Sequence, residues 1–117
     1  LNNCAGKKDC LVKISDFTDF SWDKLYVFDY RQESLQINKI VGFPTGAKNN
    51  NSNKMIFVQG GNVVYLEEKI IDVLHPKGVR MYFTEADRKN FAVYSNNVIF
   101  SAEFYGNTFS LRCTNCE

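Results

Sequence analysis

Four cysteines stand near the two ends of the 117-residue chain: Cys4 and Cys10 in LNNCAGKKDC, and Cys113 and Cys116 in CTNCE. Three chemistries compete for them. A redox CxxC works where a helix N-terminus lowers the thiol pKa. Here the CxxC follows the strand-like run TFSLR and only Glu117 comes after it, which speaks against redox catalysis. A structural zinc site wants a closed shell of about four ligands. One CxxC and one Cys-x5-Cys fit the usual spacing poorly. The remaining chemistry is structural disulfides, which hold chain ends that would otherwise fray. Three pairings are then possible, and sequence does not choose among them.

Other catalytic sets are thin. His75 is the single histidine and sits in the turn-like LHPKG. A triad built on it would need a nucleophile and an orienting acid nearby, so a surface turn residue is the simpler reading. Paired carboxylates could drive glycoside hydrolysis. Asp16, Asp19, Asp23, Glu67, Glu68 and Glu103 are available, but no spacing pairs them. Neither GxGxxG nor a Walker-type loop occurs. The sequence therefore predicts a non-enzyme without cofactor or metal.

Binding chemistry has better material. Aromatics make up 15% of the chain, and Trp and Tyr are common anchors of interfaces. Trp22-Asp23-Lys24 is the densest short cluster. Its structural alternative is a tryptophan packed under a helix with Asp23 and Lys24 in a turn. Arg80, Tyr82, Tyr94 and Tyr105 fall on later strands and form a second candidate surface. The balance of 14 basic and 13 acidic residues argues against nucleic acid, whose binders carry a basic excess. No polybasic patch or bilayer-spanning run is present.

The elements that must position these residues are mostly strands. Residues 11–14 read as a short strand, 15–23 as a packed connector and 24–30 as a strand. Ile37, Ile40 and Val41 lie on one face of a helix, with Gly42 at its left-handed stop and Pro44 beyond it. Residues 45–53 (TGAKNNNSN) read as a polar surface loop. MIFVQGGNVVYLEE predicts a hairpin, residues 55–59 against 62–67, turning at Gly60-Gly61. Residues 79–83 predict a strand, 85–89 a helical turn or loop, and 91–94 a short strand. Residues 97–104 and 108–112 predict a second hairpin. The sum is one domain over 1–117, with 1–9 as a tether or disulfide-tied tail. Its class is α+β: an antiparallel sheet of about six or seven strands packed with one short helix.

FTDFSWDKLYVF, INKIVGF and MIFVQGGNVVYLEE together resemble a group of small, uncharacterised bacterial envelope proteins, often lipoproteins. Trp22-Asp23-Lys24 with Tyr26 and Phe28 carries the first motif. Ile56-Phe57, Gly61 and Val63-Val64-Tyr65 carry the hairpin. The resemblance spans roughly residues 10–70 and implies an envelope location, periplasmic or anchored to the outer membrane. Leu1-Asn2-Asn3-Cys4 has the outline of a lipoprotein cleavage site, with Asn3 where Gly, Ala or Ser is usual. Cys4 would then carry the lipid and be the one membrane contact. A start at Leu1 fits a removed signal segment. The function expected is a monomeric, non-catalytic binding protein whose partner is a toxin or a cell-wall enzyme that it neutralises. The alternative is a small-ligand-binding or structural envelope lipoprotein.

Overall fold

Gly60 and Gly61 adopt φ of 57° and 83°, the left-handed values that a two-residue hairpin turn requires. They join β3 (Ser52–Gln59) to β4 (Asn62–Ile70) in the computed structural model, with Gln59 opposite Asn62. The structure describes residues 10–47, 52–70, 80–105 and 108–116. Cys4 and His75 lie outside the described residues.

The predicted hairpin is correct and longer than expected. It also carries an irregularity: the register shifts between Phe57 and Val58, so that Phe57 faces Tyr65 and Val58 faces Val63. Val64 is the extra residue of a β-bulge, a device that bends a strand and increases its twist.

β2 (Lys24–Phe28) lies between β3 and β6 (Phe91–Ser95), antiparallel to both. Together with β4 these make a sheet of order β4-β3-β2-β6. A second sheet has the order β1-β7-β8-β5, from β1 (Cys10–Lys13), β7 (Ile99–Tyr105), β8 (Thr108–Cys113) and β5 (Arg80–Phe83). The described residues thus form eight strands in two sheets, where one sheet of six or seven strands was expected. The class is α+β as predicted.

β5 runs parallel to β8, which breaks the expected series of hairpins. A parallel pair needs a long crossover. The chain supplies it through α2 (Thr84–Lys89), β6 in the other sheet, and β7. Residues 84–89 are therefore a helix, stopped by Asn90 at φ 72°. A 3-10 turn, Ile14–Phe17, follows β1.

α1 (Ser34–Val41) ends at Gly42, whose φ is 97° and whose N–H donates to the Asn38 carbonyl at 2.9 Å. Ile37 and Val41 pack on Tyr26, Phe28, Ile56 and Val58. The opposite face of the same sheet offers Leu25, Val27, Phe57 and Tyr94. These meet Val12, Phe100, Ala102 and Leu111 of the second sheet, with Phe83 and Ala86 beside them. The order of layers is α1, first sheet, second sheet. β2 is the centre of the domain, and Leu25 to Phe28 are all buried because both faces of the strand are covered.

Two sequence expectations are corrected at this level. Trp22 does not pack under α1: it lies in the inter-sheet core at 3% exposure, edge-on to Phe57 with ring centroids 5.0 Å apart. The reason is that Phe57 and Thr18, which hold its ring and its indole N–H, are on the side of the first sheet away from α1. The run 45–53 is not wholly a surface loop either. Thr45, Ala47 and Ser52 are buried, and Asn38 Oδ1 accepts from both the Thr45 backbone N–H at 3.1 Å and its hydroxyl at 2.8 Å. Hydrogen bonding by Thr45 is what lets so polar a run turn inward.

Candidate functional site

β4 is an edge strand of its sheet, with β3 as its neighbour among the described strands. An edge presents a row of N–H and C=O groups that another chain can pair with. Two side chains near its turn end are large, apolar and exposed: Val64 at 41% and Tyr65 at 44%. The bulge displaces Val64 from the regular register, so that it cannot pack as its neighbours do.

Tyr65 is the outer end of an aromatic stack. Its ring lies 5.6 Å from Phe20, nearly parallel at 26°. Phe20 in turn meets Phe57 edge-on at 5.2 Å, and Phe57 meets Trp22. A ledge of four rings therefore runs from the inter-sheet core to the surface beside β4. Offset and edge-to-face contacts of this kind stiffen as well as bury. The Tyr65 hydroxyl donates to Glu67 Oε1 at 3.3 Å, and the nearby Glu67 charge raises the phenol's pKa.

Beside the ledge lies an open depression of about 350 Å³, lined by Ser15, Thr18, Phe20, Ser21, Trp22, Gln59 and Asn96. A chain of hydrogen bonds organises its wall. The Trp22 indole N–H donates to Thr18 Oγ1 at 3.1 Å, and the Thr18 hydroxyl donates to the Ser15 carbonyl at 3.3 Å. The Asn96 amide donates to the Trp22 carbonyl at 3.1 Å.

Of the first sequence cluster, Trp22 supplies this wall from within. Asp23 Oδ2 accepts from the Gly60 N–H at 3.0 Å and so braces the β3–β4 turn. Lys24 is exposed at the start of β2. The second cluster does not form one surface. Tyr94 points into the inter-sheet core at 2% exposure. Tyr82 is exposed on β5, in the other sheet. Arg80 and Tyr105 are on β5 and β7, and their side chains lie outside the described residues.

Tyr94 has a structural partner. Its hydroxyl donates to Glu85 Oε1 at 2.8 Å, and burial first, then this bond, raises its pKa well above the ordinary tyrosine value. Glu85 also accepts the Cys113 N–H, with Oε1 at 3.3 Å and Oε2 at 3.2 Å. The carboxylate thus ties α2, β6 and the end of β8 together. Tyr82 joins a surface ion-pair knot. Arg31 Nε donates to Asp29 Oδ1 at 2.6 Å, and Arg31 Nη2 to the Asp87 carbonyl at 2.8 Å. Hydrogen bonding to Asp87 raises the Tyr82 pKa.

Cys113 is bonded to Cys116. That bridge closes the tail on itself and does not join the two chain ends. Cys10 is also in a disulfide, and its partner lies outside the described residues. The tail is further pinned to the β6–β7 turn. Thr114 donates through its N–H and its hydroxyl to the Ile99 carbonyl, at 2.9 and 2.8 Å, and Asn115 accepts from the Ile99 N–H at 3.1 Å.

Lys54 is the most unusual charge in the fold. It is 1% exposed and lies on the α1 side of β3. Its ammonium donates to Ser52 Oγ at 2.8 Å and to the Ser52 carbonyl at 3.1 Å, with Glu68 Oε2 at 3.8 Å. Burial lowers its pKa, and Glu68 offsets part of that.

Gln59 and Asn96 were not singled out from sequence; Phe20 stood only within the FTDFSWDKLYVF motif, and Val64 and Tyr65 only as strand residues of the hairpin motif. All but Asn96 and Phe20 lie in the hairpin motif, so the motif was visible while its exposed edge was not. No family model matches the chain, and no curated protein and no solved structure matches it either.

Proposed function

We propose that the chain is a non-catalytic binding protein of the bacterial envelope, and that it neutralises a toxin or a cell-wall enzyme by pairing with it along β4. The observation that carries this is the β4 edge with Val64 and Tyr65 exposed at its turn end. An extended segment of the partner adds to the sheet through main-chain hydrogen bonds, and its side chains find the aromatic ledge. The regular stretch from Tyr65 to Ile70 is long enough for several such bonds. The charged Glu67 and Glu68 and the bulge at Val64 protect this edge against indiscriminate pairing. They are compatible with one selected partner.

The envelope part of the proposal rests on the Cys113–Cys116 disulfide, which persists in oxidising compartments, and on the resemblance drawn from the FTDFSWDKLYVF and MIFVQGGNVVYLEE motifs. Support for a non-catalytic role comes from the carboxylates. Asp23 is committed to the Gly60 N–H, and Glu85 to Tyr94 and Cys113.

The test is affinity capture from envelope extracts of the native host, with the wild type beside a Val64→Asp/Tyr65→Asp variant. Both positions are exposed, at 41% and 44%, and the urea midpoint of the variant, beside a Tyr65→Ala control, checks that it is folded. The expected result is one stoichiometric partner, lost in the variant. Hydrogen exchange should show β4 amides protected in the complex. Recovery of no partner, or a partner retained by the variant, overturns the proposal. The second reading, a small-ligand protein, is favoured by the depression beside Phe20 and Trp22.

A further inference from the structure

Among the described residues, the lining of the depression, Ser15, Thr18, Phe20, Ser21, Trp22, Gln59 and Asn96, carries no ionisable side chain. That lining suits an uncharged ligand: a phosphate or carboxylate would find no cation among these seven side chains to offset its desolvation, and a cation no acid among them. What the wall does offer is three hydroxyls and two carboxamides. Hydroxyls and carboxamides both donate and accept hydrogen bonds. Alcohol groups on a ligand need that same double capacity.

The wall is also arranged before any ligand arrives. Thr18 is held on both sides, by the Ser15 carbonyl and the Trp22 indole. Asn96 uses its amide N–H on the Trp22 carbonyl, which aligns the rest of its carboxamide. Gln59 stands at the last position of β3, exposed and beside the Gly60-Gly61 turn. At the rim, Phe20 is half-buried and stacked on Tyr65. A stiff aromatic ledge beside uncharged hydrogen-bonding groups suits a molecule with one apolar C–H face and a rim of hydroxyls. The volume of about 350 Å³ is at the lower end of small-molecule sites, which run from roughly 300 to 1,000 Å³.

We infer that this depression is a binding subsite for a neutral saccharide, a single pyranose unit lying against Phe20 with its hydroxyls on Gln59, Asn96, Ser21 and Ser15. The inference goes beyond the β4 reading and does not depend on it. The two sites share the Phe20–Tyr65 stack, so a partner paired along β4 and a sugar in the depression would sit side by side.

The test is a titration of nitrogen-labelled protein, with its disulfides intact, followed by amide and indole NMR. The probes are the methyl glycosides of glucose, galactose and N-acetylglucosamine. An uncharged N-acetyl tripeptide amide is the competitor from another ligand class. A site this open and this small supports a Kd on the order of 1–10 mM for one sugar unit. The expected result is a saturable shift of the Gln59 and Asn96 side-chain amides and the Trp22 indole by at least one glycoside. Gln59→Ala, at an exposed position that keeps the fold, should weaken that binding roughly 3- to 10-fold. If none of the glycosides moves these signals at about ten times that Kd, the inference fails. It fails equally if the shifts survive Gln59→Ala unchanged, or if the tripeptide amide binds the same signals as tightly.

Discussion

Tyr94→Phe isolates one buried group, and its effect should shrink as pH rises. The phenol is 2% exposed, donates to Glu85 Oε1 at 2.8 Å, and has a raised pKa because burial disfavours its anion. At neutral pH the substitution removes one hydrogen bond to a carboxylate that keeps the Cys113 N–H. Bonds of that kind contribute about 1.5–3 kcal/mol, so the variant should be less stable by about 2 kcal/mol near pH 8. Above about pH 10 the contribution begins to fall. The unfolded tyrosine ionises there while the native one holds its proton, so the native state binds more protons and loses stability as pH rises. With the native phenol neutral throughout, the loss is at most about 1.4 kcal/mol by pH 11 and about 2.7 kcal/mol by pH 12, less any screening by solvent. The variant has no phenol to ionise at this position and escapes that loss. The wild-type advantage should therefore shrink above pH 10 and vanish at about pH 11–12. Tyr65 and Tyr82 also have raised pKa values, but they are common to both proteins and cancel in the difference. Urea unfolding read by Trp22 fluorescence at a series of pH values gives the gap directly. A gap that stays constant from neutral to strongly alkaline pH would refute a buried, neutral phenol. Equal stability near pH 8 would refute the contribution of the Glu85 bond.

Four further outcomes are expected. Lys54 has a lowered pKa in the fold, so the unfolded chain binds its proton more tightly and stability should rise with pH up to about 10.5, with a slope of at most about 1.4 kcal/mol per pH unit; urea midpoints should show this slope in the wild type and its loss in Lys54→Met. Gly61→Ala meets no atom within 4 Å but forces alanine to φ 83°, so it should lower stability by about 1–2 kcal/mol through backbone strain alone, seen as a shifted midpoint with an unchanged denaturant slope. Phe100→Ala empties a fully buried position between Phe83 and Tyr94 and should cost about 3–5 kcal/mol, measurable by thermal unfolding. Replacing Cys113 and Cys116 by serine opens a loop closed over a sequence separation of 3, so the loss should stay at or below about 2 kcal/mol; Thr114 and Asn115 should keep the tail on Ile99, which amide exchange at Ile99 and Thr114 would report.

The parts that could be read along the chain are those whose cause is local. Gly60-Gly61 sets a turn through its own φ values. Ile37, Val41 and Gly42 define the buried side and the end of α1 within a few residues. The candidate site was legible only in pieces. The hairpin motif stood out, yet Tyr65 and Val64 read as two more strand residues, and Trp22 read as belonging under the helix. Asn96 carries no pattern, and the FTDFSWDKLYVF motif does not say where Phe20 sits, because what recruits them is the Trp22 carbonyl and the Tyr65 ring. Tyr94 was grouped with Tyr82 because both are strand tyrosines, although the pairing of β6 with β2 turns one inward while the other stands on a different sheet.

By itself the sequence determined an α+β domain: β-rich runs, one amphipathic helix with its stop, a two-glycine hairpin and cysteines suited to disulfides. Each of these depends on interactions within a few residues. Only the tertiary structure decided that the strands divide into two sheets, that β5 joins β8 in parallel, that β4 is left at an edge, and that Cys113 pairs with Cys116. The physical reason is the symmetry of a strand. A strand offers hydrogen bonds on both edges and, like β2 with Leu25 to Phe28 all buried, apolar side chains on both faces. Which edge is paired and which face meets which layer is settled by contacts between residues far apart in the chain, and those contacts also place Phe20 beside Tyr65.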